Sequence, residues 1–277
     1  MDAHDLIKHS YERSNLVELL REALSKAGFG NNPLSIRDLA PLDHFHSRGI
    51  QATKELANAL TITSESKILD IGSGLGGPAR YLASTFGCHV CGIDLTQSYV
   101  NAAKYLSERV GLSEMVSFQC ANALALPYDD CSFDIVWTQH VAMNIQNKTQ
   151  LYSEIFRVLK IGGQFAFYDV VAGEGSVYFP VPWSDGPETS FLLTPDAMLS
   201  VLTESGFKSL SWIDRTEEGI SWFSDFQKKQ SQNQGASPKL GLGLVVGPDF
   251  GTRAANLGRS LNERKVGLLE GVLEKEA

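Results

Sequence analysis

Apolar side chains recur at helical spacing along the first sixty residues. Leu16, Leu19, Leu20 and Ala23 share one face before Gly28 and Gly30 stop the segment. Ala52, Leu56, Ala57 and Leu60 predict a second helix over about 49–60. The connector Leu42-Asp43-His44-Phe45-His46-Ser47-Arg48-Gly49 is unusually dense in polar and aromatic groups. Beyond it the period shortens. Lys67-Ile68-Leu69-Asp70-Ile71 reads as a buried strand, followed by a glycine loop and a helix from about Pro78 to Phe86. Strands at 89–94, 116–120, 133–138 and 163–170 then accompany helices at 97–110 and 148–159. A helix at about 195–205 and strands at 208–214 and 266–273 complete the pattern. Two stretches break it. Residues 172–195, rich in Gly, Pro and aromatics, predict a loop over the sheet edge. Residues 216–262 predict an insertion with an amphipathic segment around Trp222–Phe226, a polar Gln/Ser run and a Gly-rich turn.

Strands alternating with helices predict an α/β fold with a doubly wound, mostly parallel seven-stranded sheet. Residues 1–60 form an N-terminal helical cap, and 61–277 form the sheet domain with lid insertions at about 172–195 and 216–262. Right-handed crossovers gather the strand C-terminal ends on one edge, and ligands bind where the strand order reverses.

Composition narrows the possibilities. With 277 residues, 43% hydrophobic, the chain can bury a sizeable core. A net charge of −8 argues against a nucleic-acid partner, which calls for a basic face. No apolar run reaches the roughly 18–20 residues of a membrane helix. The polar start, MDAHDLIKHSYERS, does not read as a secretory leader. Four cysteines suit a reducing cytoplasm. The pair Cys88-x-x-Cys91 heads a strand instead of a helix, which favours a structural role. His44 and His46 stand two apart without a third ligand at metal spacing, so no metal site is expected.

Gly72, Gly74 and Gly77 satisfy G-x-G-x-x-G, with Ser73 and Gly76 between them. Nicotinamide and flavin enzymes share that string, because glycine lets a ligand approach the backbone and the helix N-terminus offers free N–H groups. The neighbours discriminate. Asp70 suits a cationic amine and would repel a pyrophosphate. Asp94, with Leu95 beside it, ends the second strand, where an acid binds ribose hydroxyls. Asn122-Ala123 ends the third strand with an amide suited to an adenine edge. A nucleoside with a free ribose and a charged amino-acid tail fits this set, and S-adenosylmethionine has that shape.

Ile68-Leu69-Asp70-Ile71-Gly72-Ser73-Gly74-Leu75-Gly76-Gly77 resembles the first motif of class I S-adenosylmethionine-dependent methyltransferases. Gly92-Ile93-Asp94-Leu95-Thr96 resembles their ribose motif, and Arg157-Val158-Leu159-Lys160-Ile161-Gly162-Gly163 their later turn, with Ile161 in place of the usual Pro. Ala123-Leu124-Ala125-Leu126-Pro127-Tyr128 with Ser132-Phe133-Asp134 is similar to the block between them, and Asn122 departs from the commoner Asp. The strings Asp43–Gly49, Trp137–Ile145 and Pro180–Trp183 are similar to sarcosine/dimethylglycine N-methyltransferases and related small-molecule enzymes. The resemblance implies a Rossmann-like fold, S-adenosylmethionine as cofactor and a small-molecule acceptor.

It implies cofactor contacts at Asp70, Gly72, Ser73, Gly74, Gly76, Gly77, Asp94, Leu95, Asn122, Ala123 and Gln139. Gln139 and His140, after the fourth strand, are the candidate catalytic pair. His140 is either the proton acceptor or a packing group. His46, Arg48, Asn144, Tyr178 and Trp183 are candidate acceptor contacts. Arg48 would clamp a carboxylate bidentately, Arg80 is a second candidate for that task, and Tyr178, Pro182 and Trp183 would form an aromatic wall. N-methylation of sarcosine or dimethylglycine would need a small pocket with a cationic clamp. O- or C-methylation of a natural product would need a wide, mostly apolar one. An inactive cofactor-binding partner protein is the alternative from another class. A monomer or homodimer is expected.

Overall fold

The computed structural model describes residues 15–232 and 240–276. Residues 1–14 of the expected cap, and 233–239 of the expected polar run, lie outside the described residues. The central sheet has seven strands: β1 (Lys67–Ile71), β2 (His89–Asp94), β3 (Val116–Cys120), β4 (Phe133–Gln139), β5 (Leu159–Ala172), β6 (Phe207–Asp214) and β7 (Val266–Lys275). Their order is β3-β2-β1-β4-β5-β7-β6, with β7 antiparallel to both neighbours. The order reverses between β1 and β4, where a ligand crevice is expected.

Helices α4 (Gly77–Phe86), α5 (Gln97–Arg109), α6 (Lys148–Val158) and α7 (Pro195–Glu204) join or flank the strands. Two apolar clusters cover the two faces of the sheet, one around Ile68, Ala79, Val90, Trp137 and Leu268, the other around Leu69, Val136, Leu151, Ile155 and Phe165. Alternate strand residues thus go to opposite faces, and both faces are buried, as a doubly wound sheet requires. Among the described residues no helix is long and apolar enough to cross a membrane.

The N-terminal segment holds α1 (Leu16–Lys26), α2 (Ile36–Asp43) and α3 (Ile50–Asn58). Sequence periodicity missed α2. Its start is marked by a capping box in which Ser35 and Asp38 satisfy each other's backbone N–H. Leu16, Leu20, Leu24, Leu39 and Leu42 pack with Leu75 of the glycine loop, Tyr99 and Leu106 of α5, and Leu240 and Val245 from the far end of the chain. The 216–262 stretch is more regular than expected, because it folds as α8 (Thr216–Gln232), the short α9 (Gly243–Val246) and α10 (Phe250–Asn262). Its apolar residues Phe223, Ala254, Leu257 and Leu261 join the core against β7, so that helical face is set by tertiary packing. The strand expected at 163–170 extends over Leu159–Ala172, taking in the Lys160–Gly163 turn.

Candidate active site

A cavity of about 410 Å³ opens at the C-terminal edge of the sheet, at the point of strand reversal. Its floor comes from the glycine loop. Gly72 takes φ +71°, and a Cβ there would stand 2.5 Å from Val141, so only glycine fits between loop and wall. The Ser73 N–H donates to the Ile93 carbonyl at 2.9 Å, tying the loop to β2. Asp94 accepts from the Gly74 N–H at 3.0 Å and from the Thr96 N–H at 2.9 Å. That acid therefore shapes the loop as well as facing the cavity.

Asp70 is buried, and its Oδ2 has no hydrogen-bond partner. Burial, and secondarily the Asp94 charge, push its carboxyl well above the usual range. The Ser73 Oγ is likewise buried without a partner. An unpaired buried polar atom costs about 1–3 kcal/mol. Two such atoms on one cavity floor fit a ligand that supplies the missing partners. A nucleoside with a cationic tail fits them: an ammonium would meet Asp70, and Asp94, Asn122 and the loop backbone would take its sugar and base.

At the C-terminal end of β4, Gln139 Oε1 accepts from the Trp137 indole N–H at 3.2 Å and the Thr53 hydroxyl at 3.1 Å. An indole N–H only donates, so the amide oxygen must face it. The Gln139 Nε2 is then left buried and unpartnered. His140 follows with φ +55°, a conformation uncommon outside glycine, pinned by its N–H to the Tyr168 carbonyl at 2.8 Å. Its ring stacks on Tyr168 at 5.2 Å and lies 6.0 Å from the His46 ring, with Nε2 buried and unpartnered. Burial holds His140 well below the ordinary histidine range, and His46 is pushed down to about 4. Both rings are neutral near pH 7. His46 reaches the Thr53 hydroxyl at 3.1 Å, so cap helix α3 is wired to the end of β4.

Leu42, Phe45, Met143, Pro182, Trp183, Phe191 and Val245 give the wall an apolar part, beside the polar side chains of Asp43, Asn144, Gln146 and Asn147. Asn144 donates to the Trp183 carbonyl at 2.8 Å, and Lys148 to the Phe191 carbonyl at 2.6 Å, fixing the 181–191 segment over the opening.

Of the residues singled out from sequence, Asp70, Gly72, Ser73, Gly74, Asp94, Leu95, Asn122, Ala123, Gln139, His140, His46, Asn144, Pro182 and Trp183 line this cavity. Five do not. Gly76 and Gly77 serve close packing: a Cβ on Gly76 would meet Phe118 at 2.6 Å, and one on Gly77 the Asp43 carbonyl at 2.0 Å. Arg48 is not part of the lining: it pairs with Glu55, which also lies 3.8 Å from Arg215, and its guanidinium stands 6.0 Å from the Tyr168 ring with Nη1 buried and unpartnered. Arg80 is fully buried and paired with Asp43 at 2.6 Å. Tyr178 donates to Glu263 at 2.6 Å beneath the Arg259 guanidinium, away from the cavity. An exposed-looking aromatic loop and two arginines near a motif gave no signal of where their side chains would turn. The sequence reading missed Asp43, Phe45, Met143, Phe191 and Val245 as wall residues. Asp43 stood within the dense connector, whereas Val245 had no local signal. Among the described residues no three metal-ligating side chains gather.

Comparison with known proteins agrees with this geometry. A family profile described as a methyltransferase domain matches residues 69–167. A glycine/sarcosine/dimethylglycine N-methyltransferase from Actinopolyspora halophila is 29% identical over 178 residues, 64% of this chain and 32% of that protein. Methyltransferase GfsG from Streptomyces halstedii is 34% identical over 164 residues, 58% of this chain and 56% of that one. The chain thus spans between a third and just over half the length of these curated relatives. Among solved structures, the [4+2]-cyclase SpnF superposes over all of this chain and 98% of its own, with TM-score 0.71 at 24% identity, a likeness of fold. Residues 69–167, which match the methyltransferase-domain profile, hold the glycine loop, Asp94 and the β4 edge, and the seven-stranded sheet around them shares the fold of SpnF.

Proposed function

We propose that the chain transfers a methyl group from S-adenosylmethionine to a small-molecule acceptor. One observation carries this reading: Asp43, Asp70 and Asp94 reach the cavity wall, and among the described residues no Lys or Arg does. A dinucleotide's pyrophosphate would meet carboxylates and no cation, whereas a sulfonium with an ammonium tail is attracted. Bound there, the cofactor supplies an already activated methyl. The chain's own residues then have three tasks. The apolar wall and the 181–191 segment exclude water and align the acceptor for in-line attack. The Gln139 amide offers two N–H donors toward an acceptor oxygen. His140, neutral and with an unpartnered Nε2, takes the acceptor's proton.

The same wall favours one acceptor class. A carboxylate on sarcosine or dimethylglycine meets no Lys or Arg among the lining residues, and Arg48 is paired with Glu55. The apolar side chains beyond His140 suit a neutral acceptor methylated on oxygen or carbon, and this second reading is preferred over the amino acids. A reducing, cytoplasmic setting goes with it, read from four unpaired cysteines, and the protein works as a monomer or homodimer.

Isothermal titration with S-adenosylmethionine and with NAD tests the cofactor, and tight NAD binding alone would sink the proposal. Incubation with methyl-deuterated cofactor and sarcosine, dimethylglycine, phenols and enols, read by mass shift, tests the acceptor. Labelled dimethylglycine or betaine would return the acceptor to the amino-acid class. Cofactor binding with no labelled product would point to a non-methylating use of the fold.

A further inference from the structure

Asp43 ends α2 and sits directly on the glycine loop, its backbone carbonyl occupying the space a side chain on Gly77 would need. It is 3% exposed, which for a carboxylate demands compensation. Half of that is present: Oδ1 accepts from Arg80 at 2.6 Å, and Arg80 in turn donates to Ser107 at 3.0 Å and to the Ala103 carbonyl at 3.3 Å. The other half is missing, because Oδ2 is buried with no partner. The Asp70 Oδ2 is orphaned in the same way, and both residues reach one cavity. One carboxylate belongs to core strand β1 and the other to the cap. A cation with several donors is the kind of ligand that two such carboxylates call for, and an ammonium has three donors.

We propose that Asp43 is a second carboxylate ligand for the ammonium of the cofactor's amino-acid tail, so that tail binding and docking of α2 onto α4 are one coupled equilibrium. This rests on the cofactor reading above. The coupling is reciprocal: a tail that binds better to the docked cap must hold the cap down by the same factor. It also explains why the ion pair Asp43–Arg80 is placed at the start of α4. The pair fixes Oδ1 behind the wall and leaves Oδ2 for the ligand.

The test uses two probes, S-adenosylhomocysteine and 5′-methylthioadenosine, which share the nucleoside and differ in the tail. In Asp43→Asn, titration calorimetry should show S-adenosylhomocysteine weakened about tenfold or more, the loss of one charge-assisted bond, with methylthioadenosine unchanged. Equal weakening of both probes would overturn the proposal. Because Asp43→Asn leaves Arg80 buried and unpaired, Asp43→Asn/Arg80→Met is the second variant. It should recover thermal stability while the homocysteine tail stays weak, and recovery of tail affinity would reduce Asp43 to a partner of Arg80. Hydrogen exchange on the wild type should show amides 36–43 slowed by S-adenosylhomocysteine and not by methylthioadenosine. No slowing by either would also overturn the coupling. If neither probe binds the wild type, the cofactor reading itself fails, an outcome distinct from those above.

Discussion

The two halves of the cavity are built in different ways. Most of the proposed cofactor half comes from one stretch of chain, β1-loop-α4-β2, with Asn122 and Asp43 added from outside it, and that stretch is held together by bonds such as those from the Gly74 and Thr96 N–H groups to Asp94. The proposed acceptor half is assembled from Phe45, Met143, Trp183, Phe191 and Val245, each on a different segment. A local loop keeps its shape when the rest of the surface changes. A wall drawn from distant segments alters with any one of them. The contrast explains how one fold serves varied acceptors, and why the comparisons converge on a methyltransferase domain while the relatives' names differ in acceptor.

Four measurements test this contrast. The largest effect is expected at the junction of the halves. His140→Ala should lower turnover of any acceptor found in the mass-shift panel by about a hundredfold, the usual scale of lost proton transfer, with S-adenosylhomocysteine affinity kept within twofold. Unchanged turnover would give His140 a packing role. Next, Asp94→Ala removes the acceptor of two backbone N–H groups and the proposed ribose partner. Cofactor affinity by calorimetry should fall at least tenfold, at about 1.5–3 kcal/mol per charge-assisted bond. An unaltered value would show that the loop holds its shape without Asp94.

Third, Gly77→Ala should destabilise by about 1–3 kcal/mol, since its Cβ cannot coexist with the Asp43 carbonyl. Denaturant melts read this, and a wild-type midpoint would mean that the cap yields freely. The smallest effect is in pH dependence. His46 is pushed down to about 4, so the unfolded chain binds a proton that the folded one refuses. Its share of stability is complete above about pH 6.5 and is lost as pH falls toward 4. Asp169, pushed up to about 6 by burial, works in the opposite sense over part of that range. His46→Gln should therefore flatten the fall in melting temperature between pH 6.5 and 4, and an unchanged slope would remove His46 from the account.

Residue order was enough to set the strand-helix alternation, the sheet edge that carries the cavity, and Asp70, Gly72, Gly74 and Asp94 upon it. Each of these depends on neighbours a few residues away, through alternation, positive φ or a loop bond, and such short-range constraints are written in residue order. Long-range packing set the pairing of Arg48 and Arg80, the absence of Tyr178 from the wall, and the arrival of Asp43 and Val245. A long or charged side chain turns toward whichever partner lies within reach after folding. For Arg80 that is Asp43, for Arg48 it is Glu55 and for Tyr178 it is Glu263, pairings that no local pattern of apolar and polar positions encodes.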